Sequence, residues 1–299
     1  MKLIFAGTGA AFNLDSYQTN VIIQHNGKNL LVDAGMFAPL ALRDIGMTYK
    51  DIDALYVTHL HADHVGGIEY LAFTTYFDPT VKNKITLIAN NELTREMWTH
   101  TLMGGLKSIQ GKRPILSDYF DTQMIRKNGK FYWEDIRFDI VQSVHIMDGY
   151  AIVPSFGLMI TLPETGKKLY YTGDTQFNPN QIMDFYREAD YIVQDCETTP
   201  YKSGVHANFT ELEGLPADIK AKMILTHYKE NILSELPNVS PAHLLTLVAD
   251  EMKVALSEYV LKSTVINDEW NKKAKDAGFT CWDGRNYGFV LKGFELEVE

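Results

Sequence analysis

Several things are scarce in this chain, and each scarcity excludes something. Among 299 residues there are two cysteines, Cys196 and Cys281, too few for a disulfide framework. Both are expected to stay reduced, which suits a cytoplasmic setting. No stretch approaches the roughly 20 apolar residues needed to span a bilayer, so no membrane partner is expected. The apolar run at the start, Leu3-Ile4-Phe5-Ala6, is too short for a signal peptide. Cationic residues are also scarce: 28 Lys and Arg stand against 38 Asp and Glu, for a net charge of −10. A chain this acidic lacks the clustered Lys and Arg that grip long nucleic acid, so no long nucleic acid is expected as a partner. A small phosphorylated ligand drawn to a metal stays compatible with that charge. Tandem repeats, heptads and low-complexity segments are missing too. The 45% hydrophobic content is ample for a large core. A single domain over 1–299 is expected.

Histidine, by contrast, is concentrated. Thr58-His59-Leu60-His61-Ala62-Asp63-His64 packs three imidazoles and a carboxylate into six consecutive residues, 59–64. An apolar run, Ala54-Leu55-Tyr56-Val57, precedes it and reads as a buried strand. Ile68, Leu71, Ala72 and Thr75 follow at helical spacing. The cluster therefore falls on a loop between a strand end and a helix start. Alternate residues of such a loop can point the same way, so His59 and His61 suit one cation, while Asp63 and His64 face a second. Imidazole with carboxylate favours zinc, with manganese or iron as alternatives.

The same device recurs along the chain. A strand over 2–6 breaks at Gly7-Thr8-Gly9, a tight bend lacking the third glycine and helix of a dinucleotide site. A hairpin follows, 20–25 and 29–32 around Asn26-Gly27, ending at Asp33. An acid there suits a partner that orients a ligand imidazole, or equally a turn or cap. A short helix is expected over 38–44, and a strand over 84–89. Strands over 136–144, 169–172, 191–193 and 223–226 run into His145, Gly173-Asp174, Asp195-Cys196-Glu197 and His227. Four strand ends thus deliver a histidine or an acid, more than structural need explains. Residues 91–135, with a helix over 92–102 and aromatics Tyr119, Phe120, Phe131, Tyr132 and Trp133, read as an excursion with two alternatives, ordinary core packing of those rings or a cap leaning over the site. Near the C-terminus, Ser240-Pro241 opens a helix, Cys281–Gly284 form a turn, and 287–291 a closing strand that completes a second sheet.

His59-x-His61-x-Asp63-His64, His145, Thr172-Gly173-Asp174-Thr175 and His227 after Ile224-Leu225-Thr226 resemble the metallo-β-lactamase superfamily. Their order and spacing resemble its ribonuclease Z-like phosphodiesterase branch. Glu197-Thr198-Thr199 with His206, the opening Phe5–Gly9 and Leu31–Gly35 match as well, so the resemblance spans nearly the whole chain. It implies an α/β (α+β) fold, an αβ/βα sandwich of two mixed sheets with helices on the outer faces. It further implies one metal on His59, His61 and His145, a second on Asp63, His64 and His227, and Asp174 bridging them. Glu197 and His206 would form a proton relay, and Cys196 would pack. Two such cations lower the pKa of a shared water and offset phosphoryl charge, with Asp63 among the catalytic residues.

One departure bears on substrate. tRNA-trimming members often carry a long Gly/Pro-rich arm between the third-motif histidine and the Gly-Asp pair. Here that interval has Pro154 and Pro163 as its only prolines and Lys167-Lys168 as its only cationic pair. The expected substrate is accordingly a small phosphodiester such as a nucleotide or cyclic nucleotide. Phosphodiesterases of the cyclic-nucleotide, anti-Pycsar type, by which phages clear signals of bacterial immunity, resemble this branch. The alternatives are a tRNA 3′ endoribonuclease, a lactonase, arylsulfatase or phosphorylcholine esterase, and a binding scaffold that kept the fold. The resemblance also implies a homodimer.

Overall fold

Asn26 and Gly27 adopt φ of 50° and 75°, the two left-handed residues that a tight hairpin turn requires. They join β2 (Asn20–His25) to β3 (Lys28–Val32) in the register Val21 to Val32 and His25 to Lys28. The computed structural model of the chain describes residues 1–229, 288–290 and 292–298. On one flank of the hairpin, β1 (Lys2–Gly7) pairs antiparallel with β2 and with β16 (Phe294–Glu297). On the other, β4 (Ala54–Val57), β5 (Ile85–Asn90) and β6 (Phe120–Ile125) follow in parallel. The sheet order is β16-β1-β2-β3-β4-β5-β6.

A second sheet repeats this pattern. From β7 (Lys130–Trp133) through β8 (Ile136–Gln142) and β11 (Phe156–Thr161) to β12 (Lys168–Tyr171) the pairings are antiparallel. From β12 through β13 (Tyr191–Asp195) and β14 (Met223–Thr226) to β15 (Gly288–Phe289) they are parallel. A two-stranded ribbon, β9 (Met147–Asp148) with β10 (Ala151–Ile152), stands between β8 and β11. The C-terminal segment thus serves both sheets, β15 in the second and β16 in the first. The helix expected after Ser240 and the turn at 281–284 lie outside the described residues.

The two sheets bury their inner faces against each other. The Tyr56 ring stacks on Phe131 at 5.7 Å, and Phe131 on Phe138 at 4.7 Å. Helices cover the outer faces. Pro179–Glu188 lays Ile182 and Tyr186 onto Tyr170 and Ile192 in a second buried cluster. Ile68–Phe77 buries Ile68, Leu71, Ala72 and Thr75, as the helical spacing predicts. The architecture is the expected sandwich of two mixed sheets between helices.

Residues 91–135 are woven into this frame. A helix Asn91–Glu96 continues through a π-helical turn, Met97–Leu102, into Met103–Leu106. The chain then lays β6 on the edge of one sheet and β7 on the edge of the other. Tyr119, Phe120 and Phe131 are buried, and the Tyr119 hydroxyl donates to the Leu106 carbonyl. These rings are committed to the core rather than to a cap, because a segment crossing between two sheets must fill the gap at their shared edge.

At one edge the sheets are stitched together. Phe156 N donates to the Thr58 carbonyl at 2.9 Å, and the Tyr56 hydroxyl donates to the Phe156 carbonyl at 3.2 Å. β8 runs the same way as β12, because β11 between them opposes both. The C-terminal ends of β3, β4, β8, β12, β13 and β14 therefore open onto one rim.

Candidate metal centre

That rim gathers histidines and aspartates from the ends of β3, β4, β8, β12, β13 and β14. After β4, Thr58 leads into His59 and His61, and the short helix Ala62–Val65 carries Asp63 and His64. β8 brings His145, β12 brings Asp174, and β14 brings His227. His59, Asp63, His64, His145, Asp174 and His227 are buried, and His61 is exposed. Asp33 and His227 hold φ of 62° and 61°, a region that non-glycine residues occupy at a cost and that gathers at functional sites.

The donor atoms fall into two sets sharing one oxygen. In the first, His59 Nε2 and His145 Nε2 lie 3.0 and 3.2 Å from His61 Nδ1, and 3.7 and 3.8 Å from Asp174 Oδ2. In the second, His64 Nε2 and His227 Nε2 lie 3.2 and 3.4 Å from Asp63 Oδ2, and 3.3 and 3.4 Å from Asp174 Oδ2. Four tetrahedral donors around an ion at about 2.0–2.1 Å are themselves roughly 3.3 Å apart. His64 Nε2 and Asp174 Oδ2 are buried without a hydrogen-bond partner. Such orphans are costly unless an ion satisfies them. Spacing, donor chemistry and orphaned atoms all fit two divalent cations.

Behind the donors stands a second layer of oxygens. Thr58 N and Oγ1 donate to the two oxygens of Asp33 at 2.8 and 2.7 Å, and Thr58 Oγ1 sits 3.0 Å from His59 Nδ1. Asp33 Oδ2 also meets His64 Nδ1 at 2.7 Å, the orienting place expected of it. The Val205 carbonyl accepts from His145 Nδ1 at 2.7 Å. In each case the remote nitrogen is engaged, so the near nitrogen is left free for an ion.

Proton affinities split accordingly. Burial presses the His59 imidazole well below its usual range and lowers His145, and partial desolvation lowers the exposed His61. Burial acts the same way on His64 and His227, but is overcome. Asp174, Asp33 and Asp63 lift His64 well above its usual range, and Asp174 with Asp195 does so for His227. Those imidazoles in turn hold Asp63 and Asp174 well below the usual carboxylate range against the cost of burial.

The relay is where the structure departs from the expectation. His206 Nδ1 meets Asp195 Oδ2 at 2.8 Å, not Glu197. Burial works against protonation of His206, and Asp195 raises it nonetheless. Glu197 instead accepts from Ser203 N at 2.9 Å and Asn208 Nδ2 at 3.4 Å. The physical reason is register. β13 continues to Asp195, paired with Thr226, so its last side chain stands beside His227 and His206. His227 Nδ1 lies 3.3 Å from Asp195 Oδ1, an ion-pair distance without hydrogen-bond alignment. Glu197 lies two residues beyond the strand end. Asp195 is thus a strand-end acid that the sequence displays but to which sequence reading gave no role, the relay going to Glu197 instead. Its signal was its place, one residue before the line at which β14 yields His227. Cys196 is buried in the second core cluster.

The two-sheet sandwich with its rim of histidines and aspartates is the metallo-β-lactamase fold. YhfI from Bacillus subtilis, a metallo-β-lactamase-fold protein, superimposes with a TM-score of 0.64 over 99% of each chain at 15% identity. The short form of human tRNase Z superimposes with a TM-score of 0.56 over 77% of this chain and 93% of its own, at 18% identity. Within that fold the chain belongs to the anti-Pycsar protein Apyc1 family, whose model matches residues 1–248. The anti-Pycsar protein Apyc1 of Paenibacillus sp. (strain J14) is 33% identical over 237 residues, 78% of this chain and 91% of that protein. Among the described residues, no helix is long and apolar enough to cross a membrane.

Proposed function

We propose that this chain is a metal-dependent phosphodiesterase that hydrolyses a small phosphodiester, a nucleotide or cyclic nucleotide. The observation that carries the reading is the pair of donor sets meeting at Asp174 Oδ2, with His206 beside them on Asp195. His59, His61 and His145 would hold one cation, Asp63, His64 and His227 the other, and Asp174 both; zinc is the ion this donor set favours. When bound, two such ions make water nucleophilic near neutral pH and offset charge on phosphoryl oxygens.

The remaining work falls to the chain. Asp195 engages His206 through Nδ1 and raises its hold on a proton against the cost of burial, leaving Nε2 outside that contact. The His206 ring stands 4.9 Å from that of His145 and 4.7 Å from that of His227, beside the place where the leaving oxygen departs. It donates the proton that an alkoxide needs. Asp33, Thr58 and the Val205 carbonyl hold the ligand rings in the right tautomer.

Two observations support a small substrate. The interval from His145 to Asp174 is taken up by the short ribbon β9–β10 and by β11 and β12, with no long arm. The family match is to proteins named for anti-Pycsar activity, in line with the cyclic-nucleotide type of this branch. The test is a panel of cyclic mononucleotides, bis(p-nitrophenyl) phosphate and pre-tRNA with metal-loaded protein. Cyclic nucleotides should turn over, and His206→Ala should lower that turnover by roughly 10²–10³-fold with metal content intact. Cleavage of pre-tRNA with cyclic nucleotides untouched would overturn the reading.

A further inference from the structure

Glu197 is displaced from the relay, yet it is nine-tenths buried and heavily engaged. Its backbone N donates to the Ala207 carbonyl at 2.8 Å, and its carbonyl accepts from Phe209 N at 2.9 Å. Its carboxylate takes Ser203 N and Asn208 Nδ2. Asn208 Nδ2 also donates to the Thr199 and Tyr201 carbonyls at 3.0 and 3.3 Å, while Asn208 Oδ1 caps the helix Phe209–Leu212. Ser203 Oγ accepts from Val205 N at 3.2 Å. Residues 198–207 therefore form a loop closed at its neck by Glu197 and Asn208 and pinned across its middle by the Glu197 carboxylate.

Two consecutive residues of this loop reach the centre from different directions. The Val205 carbonyl stands behind His145 Nδ1 at 2.7 Å. His206 sits on Asp195 at 2.8 Å. Neither is held at the centre by a strand of its own. Both depend on where the loop puts them.

We propose that Glu197 is a positioning residue whose clamp on loop 198–207 serves two ends at once, the seating of the ligand His145 and the placing of the proton donor His206. The second half rests on the phosphodiesterase reading; the first does not. A backbone carbonyl behind a metal-binding imidazole orients it and raises its donor strength, and loss of such support weakens a metal by roughly 10–100-fold. A displaced general acid harms departure of an alkoxide, which needs a proton. It spares a p-nitrophenolate, which leaves without one.

The experiment compares the full-length protein with Glu197→Ala and Glu197→Gln in two readouts. Competition with a chromophoric chelator measures the affinity of each zinc equivalent. The kcat and KM for a cyclic mononucleotide and for bis(p-nitrophenyl) phosphate measure the proton donor. Glu197→Ala should weaken one zinc equivalent about 10–100-fold and leave the other. Its kcat on the cyclic nucleotide at saturating zinc should fall roughly 10²-fold, with KM moving less and the aryl substrate losing under about tenfold. Glu197→Gln keeps an oxygen for Ser203 N and should stay close to the parent in both. Unchanged zinc affinities, or equal losses on both substrates, would overturn the proposal, as would Glu197→Gln behaving like Glu197→Ala. If Glu197→Ala does not fold by circular dichroism, Glu197→Asp, which draws the carboxylate back from Ser203 N, takes its place under the same criteria. Should the parent hydrolyse neither diester, the functional reading falls, while the zinc competition still decides the clamp.

Discussion

The two halves of the donor cluster use the same imidazole chemistry but are backed by different atoms. Behind the His59, His61 and His145 half stand uncharged oxygens, Thr58 Oγ1 and the Val205 carbonyl. Behind the Asp63, His64 and His227 half stand the carboxylates Asp33 and Asp195. All but His61 are buried, so burial alone does not separate them. The backing does. Burial wins in the first half, and its imidazoles are neutral and ready to bind. Anions win in the second half, and without metal its imidazoles keep their protons. Burial lifts Asp33 as well, so Asp33 and His64 hold a proton tightly between them. Toward a cation, one half would act as a bare donor set, and the other would have to give up protons to bind.

The severest test removes what the halves share. Asp174 Oδ2 faces nitrogens of His59, His64, His145 and His227 at 3.3–3.8 Å. Asp174→Ala should lose both metal equivalents in elemental analysis. Activity should drop by at least about 10⁴-fold, since ion and acid–base contributions vanish together. One equivalent retained at parental affinity would show that the halves do not meet at Asp174.

The pH dependence of binding should separate the halves next. His64 and His227 have raised affinity for protons in the metal-free fold, so they stay protonated at pH values above their ordinary 6.5. A cation must displace those protons, and each one displaced makes the affinity rise about tenfold per pH unit. His59, His61 and His145 are lowered, are already neutral at pH 7, and release nothing. Zinc titrated calorimetrically at pH 6.5, 7.0 and 7.5, in buffers of different ionisation enthalpy, should therefore show one equivalent that tightens steeply with pH and one that scarcely moves. Equal slopes would dissolve the distinction.

Much of this centre was legible because its chemistry is contiguous. His59 to His64 lie within six residues that run from the end of β4 into the short helix Ala62–Val65, and His145, Asp174 and His227 each follow a run that reads as a strand. Asp33 was legible for the same reason, as the end of a hairpin set by Asn26-Gly27. Asp195 was not, because Gln194 and Asp195 read as the start of a loop, whereas pairing with Leu225 and Thr226 keeps them in β13. Nor was β11, whose Gly157 breaks the strand pattern. A Cβ there would come within 2.4–2.5 Å of the Tyr171 and Thr172 carbonyls, so the glycine answers to the neighbouring strand rather than to its own. Both gaps have one cause. Pairing between distant segments overrides local preference, and only the fold reveals it.

The mildest test isolates the backing atoms themselves. Asp33→Asn keeps an oxygen for Thr58 N but removes the charge behind His64. It should weaken one zinc equivalent by roughly 10–100-fold. Thr58→Val removes a neutral hydroxyl behind His59 that also donates to Asp33 Oδ2, while the Asp33 charge behind His64 stays in place. At about 0.5–1.5 kcal/mol for an ordinary hydrogen bond, the other equivalent should weaken only about 2- to 10-fold. Chelator competition on the two variants reads both numbers. The inequality matters more than either value, because it follows from charge against no charge at similar contact distances, 2.7 Å behind His64 and 3.0 Å behind His59. If Thr58→Val costs as much as Asp33→Asn, or if both strike the same equivalent, the asymmetry lies in burial and not in what stands behind the rings.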